Sequence, residues 1–386
     1  MTVQELKSEF ETAYGKEAEA VYFAPGRVNL IGEHTDYNGG SVFPCALSFG
    51  TYLLLRKNDE KFVNFRSLNQ PEILSLGLNQ LTTPLDKSWV NYPLGVFAQF
   101  IKRNVEIKTG FDILIWGNVP NGAGLSSSAA LEVVTAFALN DQLGTGYSRT
   151  ILAQIGQKAE HEFAFVNCGI MDQFVSAHGK KDHAVYLNCD TLEFELVPVK
   201  LEGIKILISN THSPHKLDSG AYNQRVAECQ LAVAQLNKVR PIKYLAELTE
   251  AEFKEIESAI TDPIALKRAR HVVGEVQRTS DAVVALKAGD IVKFGQLMNA
   301  SHISLRDDYE VTGLQLDTMA EEAWKIDGVI GSRMTGGGFG GCTVSLVKDE
   351  AIDTFIEKVG AAYEAKTSIK PQFYIAEIGD GACKLS

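Results

Sequence analysis

The stretch that most restricts the fold runs from Phe111 to Gly144. FDILIWGNVP is a strongly apolar run of strand length that ends at Pro120. It passes without a break into NGAGLSSSAALEVVTAFALNDQLG, in which two glycines and three serines lead into a segment rich in helix formers. The reading is a buried strand, a glycine/serine loop and a long helix. Glycines let backbone approach a ligand with no Cβ in the way. Ser126, Ser127 and Ser128 can cap the helix. Its first turn then offers unpaired N–H groups and the positive end of the dipole, a natural phosphate site. There is no lysine at the position a Walker A loop requires. An ordinary capped helix fits the same residues.

Around that unit, strands and helices mix without strict βαβ alternation, which predicts an α+β protein. Val3, Leu6, Phe10 and Tyr14 recur at helical spacing. VYFAPGRVNLIG reads as strand, turn and strand. TILAQIGQKAEHEFAF reads as one helix followed by a short loop, VNCGIMDQF. The region from Tyr222 to about Ala300 is mostly helical. GVIGSRMTGGGFGGCTVSLV reads as strand, glycine loop and strand. At 386 residues, two domains are expected, 1–200 and 201–386.

The net charge of −11 argues against nucleic acid or an anionic membrane as partner. It does not exclude a small anion, because a local cradle of N–H groups can outweigh a distant net charge. The N-terminus lacks the apolar core of a signal peptide, and no run of about 18 apolar residues suggests a membrane span. Six scattered cysteines, with no CxxC and no metal spacing, suit reduced thiols and a cytoplasmic location. A monomer is expected.

Two further glycine-bearing stretches stand out. GRVNLIGEHTDYNGG, Gly26 to Gly40, crowds Arg27, Glu33, His34 and Asp36 around one short strand. In MTGGGFGGCTVSLV, Gly336, Gly338 and Gly341 formally satisfy GxGxxG, but a strand follows where a dinucleotide fold needs a helix. Those glycines mean close backbone approach, to a ligand or to another loop. In QKAEHEFAFVNCGIMDQF, Glu160 and His161 fall on a helix, and HExxH fails because residue 165 is Phe. Asp172 sits between Met171 and Phe174, so its carboxylate needs a partner, and Arg27 is the obvious one. A helix N-cap is the alternative for Asp172.

With these motifs in this order, the sequence closely resembles the galactokinase family of the GHMP small-molecule kinase superfamily, over nearly the whole chain. GRVNLIGEHTDYNGG resembles the family's sugar motif. PNGAGLSSSAALEVV resembles the superfamily phosphate loop, and RMTGGGFGGCTVSLV its third motif. The resemblance implies a ribosomal-protein-like N-terminal domain and a ferredoxin-like C-terminal domain, with the active site between them. It implies ATP-dependent phosphorylation of galactose at the anomeric hydroxyl. Glu33, His34, Thr35, Asp36 and Tyr222 would contact the sugar. Asp172 would sit by the attacking hydroxyl with Arg27 beside it. Gly122, Ala123, Gly124, Leu125, Ser126, Ser127 and Ser128 would wrap the ATP phosphates. Ser67 is a further nucleotide contact, and Ser128 and Glu160 would hold Mg²⁺.

The residue chemistry agrees. Carboxylates accept from pairs of hydroxyls and imidazole can donate or accept, so Glu33, His34 and Asp36 suit a polyol. An aspartate is a weak base near neutrality. Asp172 is therefore expected to orient the hydroxyl and take its proton late. Kinases of other sugars or of mevalonate, and a sugar sensor that binds without catalysis, are the rival readings. HRD and DFG elements are absent, which excludes a protein kinase.

Overall fold

The computed structural model describes residues 1–120, 124–213 and 219–386. In chain order the strands are β1 (Ala20–Asn29), β2 (Ser41–Val42), β3 (Pro44–Asn58), β4 (Phe62–Ser67), β5 (Leu74–Gly77), β6 (Gly110–Gly117), β7 (His183–Asn188), β8 (Phe194–Pro198), β9 (Ile204–Asn210), β10 (Val329–Thr335), β11 (Cys342–Lys348), β12 (Gln372–Ala376) and β13 (Cys383–Lys384). The helices are α1 (Val3–Tyr14), α2 (Asn91–Lys102), α3 (Ser127–Leu143), α4 (Arg149–Ala159), α5 (Met171–His178), α6 (Ser219–Leu236), α7 (Glu250–Ile256), α8 (Pro263–Lys287), α9 (Ile291–Ser304), α10 (Gly313–Trp324) and α11 (Ile352–Thr367).

One sheet has the order β13-β1-β3-β6-β4-β5 and is antiparallel except between β4 and β6. Its strands alternate with period two. Val21, Leu54 and Leu114 face α1, where Leu6 and Phe10 are buried. Tyr22, Leu53, Leu55, Ile113 and Ile115 face the other way into the core shared with α2 to α5. A second sheet, β10-β11-β9-β12, is antiparallel throughout. On β9, Ile206 and Ile208 pack towards Phe294 and Met298 of α9, while Leu207 packs towards Phe355 and Tyr363 of α11. A small third sheet has the order β2-β7-β8. The α+β class expected from the sequence is the one observed.

Apolar residues of the two halves share one core. Val28, Leu30 and Phe43 pack with Ile206, Ile208 and Phe294. The final strand, β13, returns to pair with β1 in the first sheet. We propose a domain division near residue 200, with these last residues crossing back.

Three local expectations differ from the structure. In VYFAPGRVNLIG the residues through Asn29 form one strand, β1, and not two. The Pro25–Gly26 step is a bulge, visible as a register shift against β3 between Pro25 and Arg27. A bulge re-aims the side chains that follow it, here Arg27. The helix read through Phe165 changes character at Glu160, where α4 gives way to a π-helical turn, Glu160–Ala164. Such turns shift the side-chain phase and recur at functional sites. The expected loop VNCGIMDQF becomes helical at Met171, so Asp172 lies in the first turn of α5.

Candidate active site

Arg27 is the centre of the site. Its Nε donates to Asp172 Oδ1 at 2.9 Å and its Nη2 to Oδ2 at 2.7 Å, a bidentate ion pair. Its Nη1 donates to the Gly124 carbonyl at 2.7 Å. Ser126 Oγ donates to Asp172 Oδ2 at 2.5 Å. One guanidinium thus ties the β1 bulge, the glycine/serine loop and α5 together. Close approach of the loop requires Gly26: a Cβ there would stand 2.6 Å from the Leu125 carbonyl. That carbonyl accepts instead from the Arg27 amide. Asp172 is not an N-cap, because Ile170 holds that position. Its carboxylate belongs to Arg27 and Ser126.

The Glu33–Asp36 turn forms one wall. Glu33 is 1% exposed. Its Oε1 accepts from the Gly336 amide at 2.5 Å and its Oε2 from the Asn29 side chain. Burial pushes the carboxyl up to about 7, against the pull of Arg333, the Gly336 amide and Arg27. His34 has a positive φ of 62°. Burial drives its pKa down to about 3, helped by repulsion from His271 and Arg225, so the ring is neutral. Asp36 is pushed up to about 6, first by burial and then by the charge of Asp172. Thr35 Oγ1 is fully buried and lies 2.9 Å from both the Gly32 and Ser41 carbonyls, so its hydroxyl braces the turn from within.

Opposite lies the start of α3. Ser126 adopts the left-handed region at its N-cap, φ 62°. Glu160 is buried beside Ser128. Its Oε2 accepts from Gln173 Nε2 at 2.7 Å and from the Cys168 thiol at 3.4 Å. Burial and the Asp172 charge push it up to about 7, while Cys168, Ser128 and Gln173 pull it back. The same Gln173 amide donates to Glu132 at 2.9 Å. Among the described residues no three His, Cys, Asp or Glu side chains gather as a metal cage. A hydroxyl and a carboxylate side by side are nevertheless a fitting donor pair for Mg²⁺, which keeps waters and takes phosphate oxygens as its other ligands.

These groups line one cavity of about 460 Å³: Arg27, Glu33, His34, Asp36, Gly124 to Ser128, Glu160, Asp172 and Tyr222. Gly122 and Ala123 lie outside the described residues. Ser67 is not brought in. It ends β4, where its Oγ accepts from the Asn69 amide at 3.1 Å. Sequence reasoning missed Tyr92 and Phe339, which also line the cavity. It missed Arg333 too, fully buried behind Glu33 at 3.5 Å. Arg333 precedes the third glycine stretch within an apolar strand, and a charge in such company was the available signal.

Comparison with known proteins fits this geometry. Residues 8–57 match the galactokinase galactose-binding signature. Residues 91–180 and 282–365 match the N-terminal and C-terminal GHMP kinase domains. The galactokinase of Clostridium beijerinckii is 50% identical over 382 residues, covering 98% of each chain. The chain belongs to the galactokinase family. The galactokinase of Streptococcus mutans is 46% identical over the whole of both chains. The crystal structure of Lactococcus lactis galactokinase complexed with galactose matches with a TM-score of 0.97 at 42% identity, over 100% of both chains. The mevalonate kinase of Methanococcus jannaschii, at 19% identity and TM-score 0.64 over 93% of this chain and 98% of that one, shares the fold alone.

A galactokinase-family site of this shape depends on one absent side chain. A Cβ on Gly169 would stand 1.8 Å from Asp36 Oδ2. Gly169→Ala is therefore expected to displace the Asp36 carboxylate and weaken the sugar side only. Loss of a hydrogen bond to a charged group is worth about 1.5–3 kcal/mol, so the galactose KM should rise roughly ten- to hundredfold. The ATP KM should stay within about twofold, since one wall alone is disturbed. Initial rates with each substrate varied in turn measure both. An unchanged galactose KM would mean that this carboxylate does not bind sugar.

Proposed function

We propose that this chain transfers the γ-phosphoryl group of ATP to the anomeric hydroxyl of galactose, giving galactose 1-phosphate and ADP. One observation carries the reading. The polyol-binding chemistry of Glu33, His34 and Asp36 and the serine-rich start of α3 open into the same cavity, with the Arg27–Asp172 pair between them. A nucleophile held on one side and a phosphate on the other is what phosphoryl transfer needs, since the protein supplies mainly position and charge.

On this reading, Glu33 and Asp36 accept from sugar hydroxyls, with His34 and Tyr222 completing the contact. A misplaced hydroxyl would strand a buried polar group, which is why such a site rejects an epimer. Asp172 accepts from the anomeric hydroxyl and takes its proton as the bond to phosphorus forms. Arg27 fixes the Asp172 carboxylate in two places and offers positive charge to the transition state. The N–H groups at the start of α3 and the hydroxyls of Ser126, Ser127 and Ser128 receive the phosphates. Ser128 and Glu160 would hold Mg²⁺, whose contribution is to neutralise phosphate charge. The chain acts as a monomer in the cytoplasm.

The direct test is ADP release from ATP and Mg²⁺ with galactose, glucose, N-acetylgalactosamine, galacturonate or mevalonate as acceptor. Release with galactose alone is expected. Another preferred acceptor would overturn the roles given to Glu33, His34 and Asp36, and tight galactose binding without release would mean a sensor. Asp172→Asn should lower kcat by about 10²–10⁴, the usual cost of losing an acid–base group. Retention of more than about a tenth of the turnover would remove that role.

A pH dependence follows from the two raised carboxyls, Glu33 at about 7 and Asp36 at about 6. Sugar hydroxyls donate to the ionised forms, so binding must expel protons wherever these groups are protonated in the free protein. Galactose affinity without ATP should therefore rise from about pH 5.5 to 8, most steeply between 6 and 7. Calorimetric titration in two buffers would show the proton release. A flat profile would mean that neither carboxylate accepts from the ligand.

A further inference from the structure

We propose that Gln173 and Glu132 are positioning residues for the metal site: a single buried amide, bonded at once to the Glu132 and Glu160 carboxyls, holds Glu160 in the orientation that Mg²⁺ needs. The inference rests on the proposed role of Glu160 and adds to it the two residues that hold that side chain. Neither was singled out from the sequence.

The bridge is short and its direction is fixed. Gln173 Nε2 donates to Glu160 Oε2 at 2.7 Å and to Glu132 Oε2 at 2.9 Å. An amide nitrogen carries two hydrogens and accepts none, so one hydrogen goes to each carboxyl and the donor is the same whatever the charge of its partners. Gln173 and Glu132 are each 0% exposed. On Glu160 the Cys168 thiol meets the same oxygen, at 3.4 Å, which leaves Oε1 clear of both contacts.

Ser128 and Glu132 are four residues apart on α3, so they stand one turn apart on one face of that helix. Glu160 lines the cavity together with Ser128 and is tied through Gln173 to Glu132. Gln173 directly follows Asp172 in the first turn of α5. Asp172 takes Arg27 and Ser126, and Gln173 takes Glu132 and Glu160. Two successive side chains thus key that turn to β1, the glycine/serine loop, α3 and the π-helical turn. Helix α4 makes room for the bridge with a glycine: a Cβ on Gly156 would stand 3.1 Å from Gln173 Cγ and 3.3 Å from Glu132 Cβ.

For packing alone, an apolar pair would serve better. Glu132 Oε1 and Gln173 Oε1 are buried with no hydrogen-bond partner among the described residues. Each unpaired buried oxygen costs stability, and apolar side chains filling the same space would avoid that cost. What the polar pair supplies instead is a fixed carboxyl at Glu160. Carboxylates that ligate a metal are themselves hydrogen-bonded, and loss of that outer partner typically weakens metal binding about 10–100-fold.

The test is calorimetric and needs no turnover: the affinity for the β,γ-imido analogue of ATP is measured in EDTA and again in excess Mg²⁺. The ratio of the two affinities is the metal's contribution. Gln173→Met, similar in length and apolar, should cut this ratio about tenfold or more. The metal-free affinity should stay within about twofold, since the phosphate contacts are left in place. Glu132→Leu should lower the ratio in the same direction, and Glu132→Gln, which keeps an acceptor oxygen for the Gln173 amide, should hold it within about threefold of wild type. A merely structural role would lower Tm and shift the metal-free affinity while leaving the ratio unchanged, and that result overturns the proposal. So does a Glu132→Gln protein as impaired as Glu132→Leu, which would make charge and not the hydrogen bond the cause. Glu160→Gln separates this inference from the reading it rests on. If that variant keeps the wild-type ratio, Glu160 does not hold the metal and both fall. If it loses the ratio while Gln173→Met keeps it, the bridge alone falls.

Discussion

The bidentate pair between Arg27 and Asp172 is the interaction on which the site is built. A guanidinium only 4% exposed needs an anion and further acceptors, because an unpaired buried charge is costly. Asp172 supplies the anion and the Gly124 carbonyl supplies the third acceptor. Much of the nearby irregular backbone serves this arrangement. The bulge at Pro25–Gly26 lets β1 deliver Arg27 and admits the Leu125 carbonyl. The left-handed turn at Ser126 brings its hydroxyl onto Asp172, and the early start of α5 places Asp172 in a helical first turn. Each of these departures from regular geometry lies within a few residues of the ion pair.

The sequence made the large pattern legible for a physical reason. Period-two and period-3.6 spacing record which faces are buried, and the first helix, the strand from Phe111 and the helix after the serines all appear where the spacing puts them. The chemistry of the site was legible because charged residues stood in apolar company: Arg27 and Asp172 each needed a partner, and each is the other's. What could not be read is what depends on long-range placement. A Pro-Gly step looks like a turn unless the opposite strand is known. No local pattern says that α5 begins at Met171, because an eight-residue helix is stabilised by packing more than by propensity. The Gly336 amide and the Glu33 carboxylate that accepts from it are separated by 303 positions, and nothing in one-dimensional spacing connects them.

Behind the cavity wall lies a second set of buried charges that steadies the first. Arg333 stands 3.5 Å from Glu33 and 4.0 Å from Glu275. Burial works against an ionised Glu275, yet Arg278, His271 and Arg333 hold its carboxyl down at about 2. Glu275 Oε1 in turn accepts from the Gly32 and Glu33 amides and from Ser301. The sugar-motif turn, α8 and the strand leading into the third glycine stretch therefore meet at one fixed charge. Low local dielectric makes such a network strong when satisfied, and it locates the backbone of Glu33 independently of any ligand.

This layering bears on how an acidic chain can receive an anionic co-substrate. The cavity contains Glu33, Asp36, Glu160 and Asp172, with Arg27 the one guanidinium among the described lining residues. Burial pushes Glu33, Asp36 and Glu160 up to about 7, 6 and 7, so the empty cavity carries less negative charge than its composition suggests. On the proposed reading, the ligands replace those protons by other positive partners. Sugar hydroxyls donate to Glu33 and Asp36, and a divalent cation faces Glu160. The carboxylates then reach their ionised state only in the company of the groups they serve. The net charge of −11 is spread over the whole chain, and surface charges more than about a Debye length from the phosphates, ~8 Å at physiological salt, are largely screened from them. On that reading, what the phosphates meet is local: the start of α3, the serine hydroxyls and Arg27.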